Sequence, residues 1–540
     1  MSEVAASAPV PRQLDVAIVG AGWSGMYMLY KCRQLGLSAK VFEKGPSVGG
    51  TWYWNRYPGL HCDVESVQYS FSFDKSLEQE WNWSERYASQ PEILRYANHV
   101  ADRFDLRKDI IFNALVSAAH YDDATEQWTL TTDSAGSVQA RFVVMATGCL
   151  TIPKDVNLPG MDDFKGEVYH TSRWPHTMPD FAGKQVGIIG TGSSGIQTIP
   201  IVAEQSGHLH IFQRTPSYSL PAHNRKLEPE FTESVKANYD ELRETARHHL
   251  VGIPGETYAA SVFDVDEATR ERIFGECYDS GRPFALMVSF GDLLTSEAAN
   301  KTAQDYLARR IRERVKDPAL AEQLIPTDQF VGTRRLCIDT GYYETFNRSN
   351  VTLQNLARNP IDAVTATGIR LKDGTEIALD CLIFATGYDA MTGALLSMDI
   401  QGEGGVQLRE RWAAGPRTMM GLMVEGFPNM FTVTGPGSPS VLSNMLVSIE
   451  QHVDWISDCL AYLQAQHKRK IKPTPEAQEH WVNHVNELAN ATLFPRGNTW
   501  YMGANVPGKP RVFMPYLGVG PYRALCDDIA KADYRGFVTE

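Results

Sequence analysis

The sequence lacks the features that mark membrane, secreted and nucleic-acid-binding proteins. None of its apolar runs is long enough to cross a bilayer, and residues 1–13 carry no charged head followed by an apolar stretch. The formal net charge of −13 provides no basic face for nucleic acid. We therefore expect a cytoplasmic protein that binds neither membranes nor nucleic acid, with residues 1–13 as a disordered tail.

The chain also lacks paired cysteines and a metal-binding motif. Its eight cysteines are scattered without a Cys-x-x-Cys pair, which argues against a zinc ribbon and against the dithiol of a disulfide reductase. Such cysteines are typical of a reducing cytosol. No His-Glu-x-x-His occurs, and the adjacent His248 and His249 diverge in direction on a predicted helix, so we expect no metal site.

A dinucleotide-binding unit is predicted near the start of the chain. Its parts, in order, are a strand over 14–19, the loop glycines Gly20, Gly22 and Gly25, a helix over 23–34, a strand over 39–42, and Glu43. In such a unit the first glycine makes the turn, the second admits a pyrophosphate, and the third allows close helix packing. An acid after the second strand binds a free ribose diol and repels a 2′-phosphate, so this unit suits FAD or NAD.

A second unit of the same kind covers residues 185–213. It comprises a strand over 186–189, the loop glycines Gly190, Gly192 and Gly195, a strand over 210–212, and then Arg214 and Thr215. A guanidinium and a hydroxyl in the place of the acid suit a 2′-phosphate. The exchange of acid for arginine predicts FAD in the first unit and NADP in the second.

Three further stretches complete the predicted organisation. Residues 49–63 alternate Gly, Trp and Pro, which predicts an ordered loop able to cover a flat isoalloxazine or simply to pack in the core. Two strands end in Ala-Thr-Gly, over 142–148 and 381–389, and either mark domain crossings or are ordinary strands before glycine turns. Between 221 and about 330 helical spacing replaces the strand pattern, with one helix predicted from Phe231 to Leu250 and another from Ala303 to Val315.

These patterns predict an α/β fold with two Rossmann-like dinucleotide-binding domains and a helical insertion in the NADP domain. The predicted boundaries are 14–150 and 386–540 for the FAD domain, 151–220 and 333–385 for the NADP domain, and 221–332 for the insertion. A Gly/Pro-rich segment at about 495–510 is predicted to be a mobile lid.

Two extended motifs resemble those of the Baeyer–Villiger monooxygenases. The pattern Phe-x-Gly-x-x-x-His-x-x-x-Trp-Pro, on the link between the two units, resembles the family fingerprint and comprises Phe164, Gly166, His170, Trp174 and Pro175. The second motif is matched by Gly49, Gly50, Trp52, Tyr57, Pro58, Gly59 and Asp63. The resemblance extends from Asp15 to the C-terminus, and the chain looks most like the phenylacetone, steroid and cyclohexanone enzymes.

The resemblance implies an FAD-dependent monooxygenase that uses NADPH and O2 to convert a ketone into an ester or lactone through a flavin peroxide. No obligatory protein partner is expected. Two alternatives stay open at this point. One is the oxygenation of sulfides or amines with the same cofactors, and the other is a flavoprotein that binds both nucleotides without oxygenating a substrate.

The resemblance also implies roles for single residues. Arg335 would be the cation beside the reacting oxygen and Asp63 the carboxylate that orients it, since a fixed cation in a dry pocket stabilises growing negative charge. Arg334, where the family usually has lysine, would bind the 2′-phosphate. His170 would couple or support rather than act as a base, and Trp500 would contact the bound nicotinamide cofactor.

The full set of expected cofactor contacts follows from the motifs and the resemblance. For FAD it comprises Gly20, Gly22, Trp23, Ser24, Gly25, Glu43, Gly50, Thr51, Trp52, Tyr53, Trp54, Asp63, Tyr69, Val116 and Met445. For NADP it comprises His61, Cys62, Gly190, Thr191, Gly192, Ser193, Ser194, Gly195, Ile196, Gln197, Arg214, Thr215, Arg334, Arg335 and Trp500.

Overall fold

A computed structural model describes residues 12–540. Most of the expected tail of residues 1–13 therefore lies outside the described residues. The predicted end of the tail, at residue 13, was wrong, because Gln13 already begins the first strand, where it pairs with Gln139. The backbone carbonyl of Arg12 also accepts a hydrogen bond from the Gln139 N–H at 3.0 Å.

The strands of the described residues are numbered in chain order. They are β1 Gln13–Val19, β2 Ala39–Glu43, β3 Ile110–Phe112, β4 Val116–Asp122, β5 Gln127–Thr132, β6 Ser137–Met145, β7 Glu167–His170, β8 Gln185–Ile189, β9 His208–Gln213, β10 Ser219–Pro221, β11 Cys337–Asp339, β12 Val351–Asn355, β13 Ile361–Thr365, β14 Gly368–Leu371, β15 Glu376–Ala378, β16 Cys381–Phe384, β17 Asp399–Gln401, β18 Met430–Thr432, β19 Ile471–Pro473 and β20 Phe537–Thr539.

The α-helices are numbered in the same way. They are α1 Trp23–Gln34, α2 Thr51–Trp54, α3 Lys75–Glu80, α4 Gln90–Arg103, α5 Ser193–Gln205, α6 Pro229–Ala237, α7 Tyr239–His248, α8 Glu267–Asp279, α9 Pro283–Val288, α10 Glu297–Arg314, α11 Pro318–Leu324, α12 Tyr342–Thr345, α13 Gly393–Leu396, α14 Leu408–Arg411, α15 Met445–Ala465, α16 Pro475–Asn490 and α17 Val519–Lys531.

The larger sheet has eight strands, in the order β17-β4-β5-β6-β1-β2-β3, with β18 also paired to β6. Strands β1, β2, β3, β6 and β18 run parallel, and the central residues of β1, β2 and β18 are fully buried. The run at 14–19 is buried because β1 lies between β2 and β6, as expected for an apolar parallel strand. The carboxyl ends of these strands therefore meet at one edge, where open α/β sheets bind ligands.

The second sheet has five parallel strands in the order β12-β9-β8-β16-β7. Strand β8 leads into the second glycine loop and helix α5, and β9 lies directly beside it. Two sheets, one mixed and one fully parallel, each contain a strand, glycine loop and helix unit, which confirms the predicted α/β class with two dinucleotide-binding units. The domain boundaries stay predictions.

Two local predictions were wrong. The stretch 164–175 is not only a link, because four of its residues form β7 at the edge of the second sheet, paired in parallel with β16. The single helix expected from Phe231 to Leu250 is two helices, α6 and α7, which meet at Asn238, where the backbone leaves helical geometry. Phe231 and Leu250 are both exposed, so the apolar spacing did not mark one buried face there.

Candidate functional site

The carboxyl edges of the two sheets open onto one cavity of about 770 Å³. Most of the residues expected to bind FAD line it, namely Gly20, Gly22, Trp23, Ser24, Glu43, Gly50, Thr51, Trp52, Trp54, Asp63, Tyr69, Val116 and Met445. Of the residues expected to bind NADP, it is lined by His61, Cys62, Ser193, Gln197, Arg335 and Trp500. Both nucleotide units thus contribute to a single cavity.

The remaining expected residues lie outside the cavity wall. Gly25 and Tyr53 of the flavin set do not line it, nor do Gly190, Thr191, Gly192, Ser194, Gly195, Ile196, Arg214, Thr215 and Arg334 of the NADP set. The fingerprint residues Phe164, Gly166, His170, Trp174 and Pro175 are also absent from its wall, although Ser172 and Arg173, between them, do line it.

The first glycine loop is shaped by backbone contacts that exclude a side chain. A Cβ on Gly20, where φ is +102°, would lie 2.6 Å from the Ala146 carbonyl oxygen, at the Ala-Thr-Gly strand end. A Cβ on Gly25 would lie 1.8 Å from the Gly20 oxygen. These two glycines therefore make the turn and the close helix contact, and they leave the N-terminus of α1 open to the cavity.

Glu43 holds the shape of this loop as well as facing the cavity. Its carboxylate accepts the N–H of Ala21 at 2.7 Å and the N–H of Gly45 at 2.8 Å. Burial raises the pKa of Glu43, and the two backbone donors oppose that effect. A buried acid on the cavity wall fits the hydroxyls of a ribose, so the first unit fits FAD.

The second loop repeats this arrangement with one informative difference. A Cβ on Gly190 would lie 2.4 Å from a backbone oxygen, and a Cβ on Gly195 would lie 2.2 Å from another. Gly192 faces open space, with nothing within 4 Å of that position, directly before the thirteen-residue helix α5. An open glycine before a helix N-terminus fits a pyrophosphate.

Residues 49–63 form the bridge between the two units. The expected loop contains one helical turn, α2, which begins after Gly50 at φ +52°. A Cβ on Gly59 would lie 2.3 Å from the backbone oxygen of Gln197 in α5. The Gln197 side chain accepts from the Tyr57 hydroxyl at 3.1 Å and donates to the His61 carbonyl at 3.0 Å. Segment 57–61 is therefore fitted to the second unit.

Arg335 and Asp63 form an ion pair on the cavity wall, although they lie 272 residues apart. The Arg335 Nε donates to Asp63 Oδ2 at 2.6 Å and Nη2 donates to Oδ1 at 2.7 Å. A third donor, Nη1, reaches the Val441 carbonyl at 2.8 Å. Burial disfavours the charge of Arg335, but the Asp63 carboxylate outweighs it, so the pKa of Arg335 lies above its ordinary value.

Three cations gather near the second glycine loop, and one of them was missed. Arg214 follows β9, Arg334 follows the insertion, and Lys154 is held by its backbone N–H on the Gly387 carbonyl at 3.1 Å. Burial lowers the pKa of both Lys154 and Arg334, and repulsion from Arg214 lowers them further. Within 12–540 none of the three has a carboxylate within 4.0 Å. The only signal for Lys154 was its position soon after an Ala-Thr-Gly strand end.

The lid segment is fastened over the cavity at several points. The Arg334 Nη2 donates to the Asn498 carbonyl at 3.3 Å, and the Lys154 Nζ donates to the Asn505 carbonyl at 3.2 Å. Lys509 forms an ion pair with Asp389 at 2.5 Å. These fastenings place Trp500 on the cavity wall, and neither Asp389 nor Lys509 was singled out from the sequence.

The fingerprint residues form a packed support behind the site. Trp174 is buried against Tyr169, with ring centroids 5.5 Å apart, and the His170 ring stacks on Phe384 of β16 at 5.1 Å. Burial lowers the pKa of His170. A neutral ring stacked on the strand that ends at the cavity suits a supporting role. Phe164 is buried in a separate cluster with the β13–β15 sheet.

Residues 12–540 hold no group of three His, Cys, Asp or Glu side chains able to bind a metal, and no helix among them could span a membrane. His248 ends α7 and pairs with Glu244 on the surface, while His249 follows the helix. All eight cysteines are buried and free.

Known proteins match nearly the full length of this chain. Residues 17–270 match the family model described as pyridine nucleotide-disulphide oxidoreductase. Acetone monooxygenase (methyl acetate-forming) of Gordonia sp. strain TY-5 is 41% identical over 526 residues, which are 97% of this chain and 98% of that protein. A Baeyer–Villiger monooxygenase of Pseudooceanicola batsensis is 40% identical over 534 residues, 98% of this chain and 97% of that one. A solved structure of oxidized steroid monooxygenase bound to NADP is 48% identical, with a TM-score of 0.94 and coverage of 98% and 99%.

Proposed function

Because the chain belongs to the Baeyer–Villiger monooxygenases, we propose that the ion pair of Arg335 and Asp63 is the catalytic centre of its reaction. That reaction is the oxidation of ketones to esters or lactones with NADPH and O2, and FAD and NADP are the cofactors. The observation that carries the assignment is the bidentate contact at 2.6 and 2.7 Å, on the wall of the cavity that both nucleotide units share.

The chain's own residues fit both cofactors, FAD in the cavity and NADP at the second glycine loop beside it. The first glycine loop and Glu43 would hold FAD, and the second loop, Arg214 and Arg334 would hold NADP. When bound, the reduced flavin activates O2 and supplies the oxygen atom that enters the ketone. The protein's part is then to orient both reactants, exclude water and stabilise negative charge.

Arg335 supplies that stabilisation. Three of its five N–H groups are used on Asp63 and Val441, so two remain to donate toward oxygen atoms in the cavity. A buried guanidinium stays charged at every working pH, and it acts more strongly in a site with little water than it would in bulk solvent. It therefore favours the anionic form of the attacking oxygen and the oxyanion that grows on the ketone.

Asp63 keeps this cation in place and charged. Its two oxygens fix the guanidinium plane, and its negative charge offsets the cost of burying Arg335. The lid closes the same space, because Trp500 lies on the cavity wall while its flanks are bonded to Arg334 and Lys154. We infer that the lid shields the reacting centre from water when NADP is bound.

The test of this function uses three variants. We expect Arg335→Ala to bind FAD and to be reduced by NADPH, but to lose ester formation by about 100-fold or more, because one charged donor to a growing oxyanion is worth that much. Arg335→Lys keeps the charge without the two-pronged contact to Asp63 and should recover only part of the activity.

Arg334→Ala is the matched control, since it removes a neighbouring guanidinium from the NADP side of the site. It should raise the KM for NADPH while ester is still formed from each NADPH consumed. The measurements are flavin absorbance under NADPH without oxygen, and ester and hydrogen peroxide under air. Normal ester yield from Arg335→Ala would overturn the assignment.

A further inference from the structure

The helical insertion reaches the catalytic centre itself. The short helix α9 presents the ring of Phe284 to Arg335, whose guanidinium carbon Cζ lies over the ring at 4.7 Å from its centre. Phe284 is 6% exposed, so this contact lies away from bulk water. An aromatic face attracts a guanidinium, and the attraction is strongest where both groups are desolvated.

The polar contacts of the Arg335 guanidinium are hydrogen bonds from its N–H groups. Asp63 takes two of them and the Val441 carbonyl takes a third. Guanidinium N–H groups lie in the guanidinium plane, so these partners fix the position of that plane's edges. The Phe284 ring lies against the guanidinium carbon and adds an apolar contact that the hydrogen bonds do not supply, so it restricts movement of the cation.

The segment before α9 is fastened to the same stretch of chain that carries Asp63. Glu65, two residues after Asp63, binds Arg282 through Nη2 at 3.0 Å and Nε at 3.1 Å. Arg86 links the same carboxylate, at 2.7 Å, to the Ser280 carbonyl, at 2.6 Å. Asp63 and Phe284 both contact the Arg335 guanidinium, and the ion pair of Glu65 and Arg282 ties together the two segments that carry them.

We propose that Phe284 is a positioning residue for Arg335, holding the guanidinium plane in the orientation from which its free N–H groups reach the reacting oxygen. This inference rests on the proposed role of Arg335. It assigns the insertion a part in the reaction beyond covering the cleft. Loss of the ring should leave the cation charged and bonded to Asp63 but free to tilt, so that oxygen is lost as hydrogen peroxide before it is transferred.

The experiment compares Phe284→Leu, which keeps most of the apolar volume, with Phe284→Tyr, which keeps the ring. Phe290→Leu is the matched control, because Phe290 is buried in the same insertion and packs on Phe274 at 5.5 Å, away from the ion pair. Each variant is purified with FAD, and three quantities are measured: flavin reduction by NADPH without oxygen, NADPH oxidation in air without ketone, and ester formed per NADPH with ketone.

We expect Phe284→Leu to be reduced at the normal rate, to oxidise NADPH faster without ketone, and to yield about 10-fold less ester per NADPH, as a desolvated cation–π contact implies. Phe284→Tyr should restore the yield to within about twofold, and Phe290→Leu should resemble the parent protein. A role limited to packing would affect Phe284→Leu and Phe290→Leu alike.

Three results would overturn the inference. They are an unchanged yield in Phe284→Leu, an equal loss in the Leu and Tyr variants, or a higher KM for ketone with no change in ketone-free NADPH oxidation, which would make Phe284 only a wall of the pocket. If Arg335→Ala still abolishes ester formation in any of these cases, the proposed function stands and only the positioning role fails. Normal ester formation by Arg335→Ala would contradict both the proposed function of Arg335 and the positioning role of Phe284.

Discussion

At the scale of single residues, the NADP side of the site contains three cations that form no ion pair within 4.0 Å among residues 12–540. Burial lowers the pKa values of Lys154 and Arg334, and repulsion from Arg214 adds to the lowering of both. Such a cluster is unfavourable until an anion binds between its members. A 2′-phosphate carries the charge that would relieve it, which favours NADPH over NADH.

Lys154→Met tests whether this cluster of cations binds the 2′-phosphate of NADPH. We expect the KM for NADPH to rise by about 10-fold, since a charge-assisted hydrogen bond contributes roughly 1.5–3 kcal/mol. The KM for NADH should stay within about twofold, because NADH has no 2′-phosphate. Lys154 also donates to the Asn505 carbonyl of the lid, and loss of that bond would weaken both nucleotides alike. Equal losses for NADPH and NADH would therefore contradict phosphate binding.

The folding stability of the protein should depend on pH through His452. Burial, and after it Arg523, lowers the pKa of His452 to about 3, and its Nδ1 accepts the Thr434 N–H at 2.9 Å. Folded His452 is thus neutral where an unfolded histidine, with a pKa of about 6.5, takes up a proton. Its contribution is complete above pH of about 6.5 and falls by about 1.4 kcal/mol per pH unit below it.

The melting temperature should therefore fall more steeply from pH 7 to pH 5 in the parent protein than in His452→Gln. His248→Gln is the control, because the His248 side chain is 64% exposed and its removal should leave the pH dependence unchanged. Parallel pH curves for the parent protein and His452→Gln would show that another group governs acid sensitivity.

At the scale of elements, predictions succeeded where the pattern is local. Helix α1 begins and ends at the predicted residues, since a glycine loop before it and apolar spacing within it fix both. The break at Asn238 and the strand β7 were missed because each depends on partners elsewhere: α7 turns to bury Arg243 against Glu78, and β7 exists only beside β16. The pairing of Arg335 with Asp63 came from the family resemblance, because no local spacing reports a contact across 272 residues.

The lid is held by an ion pair between Lys509 and Asp389. The Lys509 side chain is only 9% exposed and its Nζ lies 2.5 Å from Asp389, so the pair fastens the lid to the segment that follows β16. Asp389→Asn leaves that ammonium without its counter-charge, and we expect the Kd for NADP+ to rise about 10-fold through faster release.

Asp240→Asn is the control for this lid variant, because its partner Lys75 and Asp240 are both 77% exposed and such pairs contribute little. Stopped-flow displacement of NADP+ measures the release rate in both variants. An unchanged release rate in Asp389→Asn would mean that the ion pair does not hold the lid closed.

At the scale of the whole molecule, the reaction requires two nucleotide units to share one cavity, and the chain links them through contacts that are distant in sequence. Segment 57–61 of the first unit packs on helix α5 of the second, and Gln197 is bonded to both Tyr57 and His61. The insertion joins them at Arg335. Their relative placement depends on close backbone contact, which hydrophobic patterning does not report and only the assembled fold reveals.

Gly59 makes a close backbone contact between segment 57–61 and helix α5. Gly59→Ala adds a Cβ 2.3 Å from the Gln197 oxygen, at a φ of +82°. Gly136→Ala is the matched control, because Gly136 has a φ of +73° in the same unit but nothing within 4 Å. Both should lose about 1–2 kcal/mol of stability to backbone strain. Only Gly59→Ala must also push the two units apart, so flavin reduction by NADPH should slow by about 10-fold or more in that variant alone. Equal reduction rates in the two variants would show that the units tolerate a shift at this point.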